Sequence, residues 1–124
     1  MNKKRPVNLA LTTLAFPPMA IASILHRIAG VVIFLGLPFV LYLLDLSLRD
    51  QASFSDVALL LVNPYVKGGV WIFSSAFIYH MLAGIRHMLM DLGLGESLYH
   101  ARMTALAVII LGTVSVACLG IWIW

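Results

Sequence analysis

The chain has 124 residues, of which 62% are hydrophobic and only 10% are charged, and its formal net charge is +3. A soluble domain carries about 25% charged residues, so this chain has too few to cover a surface in contact with water. Its basic residues are few and scattered, which gives no support to nucleic-acid binding. We therefore expect one integral membrane domain spanning residues 1–124.

Three apolar segments are long enough to cross a bilayer as helices. They are predicted at residues 19–44, 68–90 and 103–124, after a tail of residues 1–18. The third contains 22 residues without a charge, against the roughly 20 that a span needs. Helices satisfy their own backbone hydrogen bonds in lipid, so the predicted fold is an all-α bundle of three transmembrane helices.

Lysine and arginine are unequally divided between the two sides of the membrane. Only Arg49 and Lys67 fall on the side of the first connection, whereas the tail, the start of the first span and the second connection carry Lys3, Lys4, Arg5, Arg27, Arg86 and Arg102. The positive-inside rule then predicts a cytoplasmic N-terminus and a periplasmic C-terminus. No Arg- and Ser-rich transit peptide precedes the first span, so we expect a bacterial inner membrane rather than an organelle.

The first span carries a polar group near its start. Ser23, His26 and Arg27 are spaced i, i+3 and i+4, so they share one helix face. Arg27 alone would be explained as an anchor that reaches the membrane surface, but a simple anchor needs no neighbouring hydroxyl and imidazole. After this span, the connection from Asp45 to Tyr65 is expected to contain a short interfacial helix.

The second span ends in the segment YHMLAGIRHMLMDLG, at Tyr79–Gly93. His80, Gly84, His87 and Asp91 follow one another at steps of four, three and four residues, which places them on one helix face. Ionisable residues in a span are costly and mark functional sites by default. A neutral imidazole at the depth of His80 is typical of an axial haem ligand, although a hydrogen-bonded packing histidine is the simpler interpretation.

The two polar groups are predicted to meet, because the first two spans run in opposite directions. The expected pocket has His80 beneath it and is lined by Ser23, His26, Arg27, Arg86, His87 and Asp91. The positively charged side chains of this pocket suit haem propionates or a quinone carbonyl. A haem held by two imidazoles needs a second histidine at the depth of His80. Because His26 and His87 are expected near the interface, we predict that a partner chain supplies it. Asp91, near a helix C-terminus, is either paired with a cation or solvated.

Two motifs resemble those of one known family, the cytochrome b membrane-anchor subunits of bacterial succinate dehydrogenase, complex II. The first comprises RPVNL at Arg5–Leu9 and SILHRIAG at Ser23–Gly30, and the second is HMLAGIRHMLMDLG at His80–Gly93. The resemblance is to the larger of the two anchors and covers nearly the whole chain. One departure is Ala29, where the family usually has Ser or Thr.

The resemblance implies roles for individual residues. His80 matches the axial ligand of the haem b iron, the other axial histidine coming from the smaller anchor subunit. Ser23 and Arg27 match residues of the ubiquinone site, and His26 and Arg27 match positions near the haem propionates. His87 and Asp91 match the second motif and are included as residues near the cofactor.

The resemblance also implies the assembly in which the chain works. Succinate is oxidised on a flavoprotein subunit in the tricarboxylic acid cycle, and electrons reach quinone through an iron–sulfur subunit. Together with the smaller anchor, the chain would attach the flavoprotein and iron–sulfur subunits to the bilayer. It would not be an enzyme on its own. It contains no dinucleotide glycine fingerprint and only one cysteine, Cys118.

Three other functions compete with this one. The anchor of a quinol:fumarate reductase differs in the direction of electron flow and in the type of quinone. The sequence hardly constrains either property. A haem-free structural anchor would leave His80 without its predicted role. A small transporter or pore is disfavoured, because it would need polar residues along a path through the bilayer, whereas here they are confined to one side.

Overall fold

The computed structural model describes residues 16–124, which form four helices. These are α1 (Pro18–Ser47), α2 (Gln51–Leu60), α3 (Pro64–Asp91) and α4 (Leu98–Ile123). Most of the predicted tail, including the motif RPVNL, lies outside the described residues.

The prediction of an all-α membrane fold is confirmed. By length and composition, α1, α3 and α4 are each able to cross a membrane. Each overlaps one predicted span and extends it at the N-terminal end. The largest extension is in α4, which begins at Leu98 because Ser97 Oγ caps it by accepting a hydrogen bond from the backbone N–H of His100. The second connection is therefore shorter than the predicted spans at residues 68–90 and 103–124 imply.

Local sequence signals define the other helix ends. Asn63 caps α3 by accepting from the backbone N–H of Tyr65, and Pro64 occupies the first helical position, where no amide donor is needed. At the other end of α3, Gly93 has a φ of 81°. Its N–H bonds Met90 O at 2.9 Å, and the N–H of Leu94 bonds Leu89 O at 3.0 Å, which is a Schellman motif. The chain can therefore turn sharply into α4.

The three long helices pack through small residues. α3 lies against both α1 and α4, and α1 also contacts α4 and α2. The buried side chains of the described residues are mostly alanines: Ala22, Ala29, Ala83, Ala101 and Ala105. In lipid there is little hydrophobic drive between helices, so close approach through small residues supplies the packing energy.

Aromatic rings fill notches left by glycine. A Cβ atom at Gly112 would lie 2.5 Å from Tyr79 Cδ2, and one at Gly36 would lie 2.6 Å from Phe73 Cδ2. Tyr79 also donates from its hydroxyl to Ala22 O at 3.2 Å. These contacts join α3 to both of its neighbours and determine how the helices are rotated and shifted against one another.

Candidate functional site

Three histidines from α1 and α3 form a cluster, which we call the histidine cluster: His26, His80 and His87. The His26 and His80 rings are stacked, with centroids 4.1 Å apart and planes 26° from parallel. The His26 and His87 rings are 5.2 Å apart and tilted by 49°. The polar faces of the first two spans were predicted to meet, and their histidines are in contact.

The orientation of His80 is held by α1. Its Nδ1 atom lies 3.1 Å from the backbone carbonyl oxygen of His26. A carbonyl oxygen can only accept, so the Nδ1 atom must carry the hydrogen. In the neutral imidazole the Nε2 atom then keeps its lone pair and is free to bind a metal ion.

A cavity lies beside His80 on the outer surface of the helix bundle. It has a volume of about 320 Å³ and is lined by Gly30, Ile33, Phe77, His80 and Met81. A Cβ atom at Gly30 would lie only 3.1 Å from His80 Cε1, so the absence of a side chain there leaves room for the ring. Gly30 has no predicted role of its own. Its position, one turn after His26, was the available signal.

His26 is enclosed between the helices. Its Nε2 atom is buried and has no hydrogen-bond partner among residues 16–124. The same atom lies 3.7 Å from where a Cβ atom at Gly84 would be. The imidazole of His26 therefore packs against α3 at Gly84.

The placement of His26 corrects the predicted difference in depth. His26 was expected near the interface, well above His80, but the two rings are in contact. The reason is the antiparallel register: His26 is eight residues into α1 and His80 is eleven residues before the end of α3. Both are therefore more than two turns from a helix end, at 3.6 residues per turn.

Arg86 does not line the predicted pocket. Its Nε atom donates to Thr104 Oγ1 at 3.1 Å, and its NH2 group donates to Ala101 O at 3.1 Å, so the side chain is directed at α4. At about 100° per residue, Arg86 is about 120° around α3 from His80. The helical period alone thus separates it from the histidine face.

The remaining predicted site residues are Ser23, Arg27 and Asp91. Ser23 is half-buried, whereas Arg27 and Asp91 are exposed. None of the three side chains makes a hydrogen bond to another described residue. The part of the chain that the structure describes also contains no group of three His, Cys, Asp or Glu side chains arranged to hold a metal ion.

Comparison with known proteins identifies the family. Residues 1–119 match the family model described as "Succinate dehydrogenase/Fumarate reductase transmembrane subunit". The chain belongs to this family. It is therefore a multi-pass transmembrane subunit, and the resemblance inferred from the two motifs is confirmed.

Individual relatives agree with the family match. The chain is 48% identical to the "Succinate dehydrogenase cytochrome b556 subunit" of Coxiella burnetii, over 100% of both chains. It is 32% identical to the subunit of the same name from Rickettsia typhi, over 86% of this chain and 83% of the relative. With the Paracoccus denitrificans subunit it shares 30% identity over 93% and 88% of the two chains.

Proposed function

We propose that this chain is the membrane-anchoring haem b subunit of a succinate:quinone oxidoreductase and that His80 is an axial ligand of the haem iron. The observation that carries the proposal is the hydrogen-bonding of His80: its Nδ1 atom is engaged by the His26 carbonyl, which leaves Nε2 for a metal. The relatives named as cytochrome b556 subunits support the choice of haem b.

The residues around His80 fit a flat, largely apolar cofactor. The cavity beside the ring is walled by Ile33, Phe77 and Met81 and is open on its outer side. The unpartnered Nε2 atom of His26 provides a further polar group within the same cluster. When bound, a b-type haem would supply a one-electron redox centre, and His80 and its hydrogen bond would hold the iron-binding nitrogen in place.

The second axial ligand is proposed to come from the smaller anchor subunit. The His26 ring is stacked face to face with His80, so the two imidazoles do not face each other across a space that could hold an iron atom. His87 contacts His26 rather than opposing His80. We therefore keep the prediction of a partner chain, on the basis of ring geometry instead of membrane depth.

The polar residues near the cluster are proposed to serve the edge of the cofactor and the quinone. His26 and Arg27 would bind the haem propionates, with His87 and Asp91 close by. Ser23 can donate a hydrogen bond to a ubiquinone carbonyl. Arg27, an exposed cation one residue from the cluster, can stabilise the negative charge that develops when the quinone is reduced.

We further propose that the chain works in the inner membrane of a bacterium, with a cytoplasmic N-terminus and a periplasmic C-terminus. The charge distribution of the connections supports this orientation. The proposed partners are the smaller anchor, the iron–sulfur subunit and the flavoprotein subunit. Residues 1–124 would act as one membrane-anchor domain.

The test is a reduced-minus-oxidised absorption spectrum of the affinity-purified complex. We expect a b-type signal in the wild type that is lost or shifted in His80→Leu. His100→Leu is the matched control, because His100 is exposed and bonds only within the α3–α4 turn region. An intact wild-type complex without any b-type signal would leave only a haem-free structural anchor.

A second candidate is the anchor of a quinol:fumarate reductase, because the matching family description names both enzymes. The two differ in the direction of electron flow. The ratio of succinate-oxidising to fumarate-reducing turnover in the purified complex distinguishes them, and we expect succinate oxidation with ubiquinone to dominate.

A further inference from the structure

Arg86 carries a buried positive charge, and its hydrogen-bond partners among residues 16–124 are all neutral. The residue is 7% exposed. Its hydrogen bonds go to a threonine hydroxyl and a backbone carbonyl, at Thr104 and Ala101. Hydrogen bonds to neutral groups satisfy the donors of a guanidinium but do not neutralise its charge, and an unpaired buried charge is strongly unfavourable.

No carboxylate among residues 16–124 forms an ion pair with Arg86. The chain has five acidic residues: Asp45, Asp50, Asp56, Asp91 and Glu96. None of them falls within residues 1–15. All five therefore lie in the described part of the chain. Among residues 16–124 the one ion pair joins Arg49 to Asp45, on the opposite side of the bundle from Arg86. Arg86 therefore has no ion-pair partner among residues 16–124, and an anion from another molecule could pair with it.

A cavity of about 370 Å³ adjoins Arg86 between the end of α3 and the start of α4. His100 and Thr104 form its polar wall together with Arg86, whereas Leu82 and Val108 belong to its apolar wall. With a rise of 1.5 Å per residue, Arg86 is about 8 Å from the end of α3 and Leu82 about 14 Å. The polar wall is thus near the membrane surface and the apolar wall continues towards the bilayer centre.

We propose that this cavity, the Arg86 groove, binds an anionic phospholipid. The phosphate would pair with the Arg86 guanidinium, and an acyl chain would lie along the apolar wall formed by Leu82, Ala107 and Val108. A charge-assisted contact to phosphate is the interaction for which a guanidinium is best suited. The apolar lining selects an amphiphile over a free anion.

The groove is independent of the histidine cluster. Arg86 is about 120° around α3 from His80, and the groove is formed with α4 rather than α1. The proposal consequently does not depend on whether the chain binds haem. A variant that loses lipid but keeps its b-type spectrum does not contradict the haem proposal. A variant that loses the b-type signal but keeps its lipid leaves the lipid proposal intact.

The test measures lipid retained by the whole purified complex. The complex is delipidated in detergent, exposed to vesicles of phosphatidylcholine with or without phosphatidylglycerol, repurified and weighed by native mass spectrometry. We expect the wild type to retain one phosphatidylglycerol per copy of this chain in preference to phosphatidylcholine. Equal retention of the two lipids would overturn the proposal.

Three variants locate the site. Arg86→Gln should weaken phosphatidylglycerol retention at least about tenfold, because the charge-assisted contact is lost. Ala107→Phe keeps the guanidinium but fills the apolar wall, and should also reduce retention. Arg102→Gln is the matched control, since Arg102 is an exposed cation of α4 outside the groove, and it should behave as the wild type.

Other occupants give different results. If a carboxylate of a partner subunit pairs with Arg86, Arg86→Gln will release that subunit while phosphatidylglycerol retention stays at the wild-type level, and the proposal is wrong. If inorganic phosphate displaces the retained lipid, the site binds a free anion and the proposal is equally wrong. Should Arg86→Gln fail to assemble, Ala107→Phe and the lipid preference of the wild type still decide the question.

Discussion

At the scale of single residues, the site depends on one hydrogen bond and one missing side chain. The His26 carbonyl orients the His80 ring, and Gly30 leaves the room that this orientation needs. Both act from α1 on a residue of α3. The proposed metal-binding nitrogen is thus positioned by a neighbouring helix and not by α3 alone.

The first prediction concerns Gly30. In Gly30→Ala the new Cβ atom would lie 3.1 Å from His80 Cε1, so the ring must move by a few tenths of an ångström. We expect a folded complex whose b-type spectrum or haem midpoint potential is shifted. Gly30→Val, which adds two further methyl groups beside the same ring, should lower haem content several-fold.

The control for this series is Gly69→Ala. Gly69 is also a helical glycine, but a Cβ atom there would meet nothing within 4 Å. Its spectrum should equal that of the wild type. If Gly30→Val bound haem with an unaltered spectrum, His80 would not be held by the contact described here.

At the scale of helices, the bundle is joined by aromatic rings that enter glycine notches. Tyr79 connects both neighbours of α3, since its ring faces Gly112 of α4 and its hydroxyl bonds Ala22 of α1. Trp71 adds a second link to α4 through a 3.0 Å hydrogen bond from Nε1 to Val116 O. Helix register therefore depends on shape as well as on apolar character.

The second prediction concerns Gly112. A Cβ atom there would be 2.5 Å from Tyr79 Cδ2, a contact that forces the ring or the helix to move. Gly112→Ala should destabilise the complex by about 1–3 kcal/mol, as overpacking does elsewhere. Denaturant unfolding in detergent measures this, with Gly68→Ala as the control in open space.

A double variant distinguishes overpacking from a general effect of the substitution. In Gly112→Ala with Tyr79→Leu, the smaller side chain vacates the notch, so the two changes should destabilise less than the sum of the single variants. Strict additivity would show that the ring is not the cause.

The third prediction concerns the start of α2, outside the spans. Asp50 caps this helix by accepting from the backbone N–H of Ser53 at 2.7 Å, and this hydrogen bond lowers the pKa of the Asp50 carboxyl. A lowered pKa means that the stabilisation is complete above the ordinary value of 3.8 and is lost as the pH falls below it.

Hydrogen exchange of the α2 amides tests this cap. The protection of residues 51–60 should decrease as the solution is acidified through that range, and Asp50→Asn, which caps without a titratable group, should remove the pH dependence. Asp50→Ala should exchange several-fold faster at neutral pH. The idea fails if Asp50→Asn retains the same acid-induced loss as the wild type.

At the scale of the whole molecule, the surface is largely apolar and only small side chains are enclosed. Phe34 is 76% exposed and Trp122 is 83% exposed, while the most buried described residues are alanines. Such a surface is covered by lipid or by partner subunits. The proposed second haem ligand requires that a partner cover the face with the open cavity at His80.

The fourth prediction is a crosslink from that face. Met81 lines the cavity and is 47% exposed. In a Cys118→Ser background, Met81→Cys labelled with a short reagent that carries a thiol-reactive group and a photoreactive group should crosslink to the smaller anchor subunit on illumination. Val114 is 54% exposed but belongs to α4, which does not line the cavity, so Val114→Cys should crosslink much less. Equal yields at both positions would contradict the assignment of the covered face.

Much of this architecture could be predicted from the sequence, because the bilayer restricts the choices. Long apolar segments with few charges must be helices in lipid, so composition alone determined the all-α membrane fold. The helical period placed His80, Gly84 and His87 on one face, and the structure shows His26 packed against all three. The same period excludes Arg86 from that face, which the predicted pocket did not take into account.

Only the tertiary structure decided what those faces meet. The contact of His26 with His80, the room at Gly30 and the direction of Arg86 towards α4 depend on how far each helix is rotated and shifted against the next. Rotation and shift result from contacts between residues far apart in the chain, such as Tyr79 with Gly112. No local periodicity encodes such pairs, because it describes each helix separately.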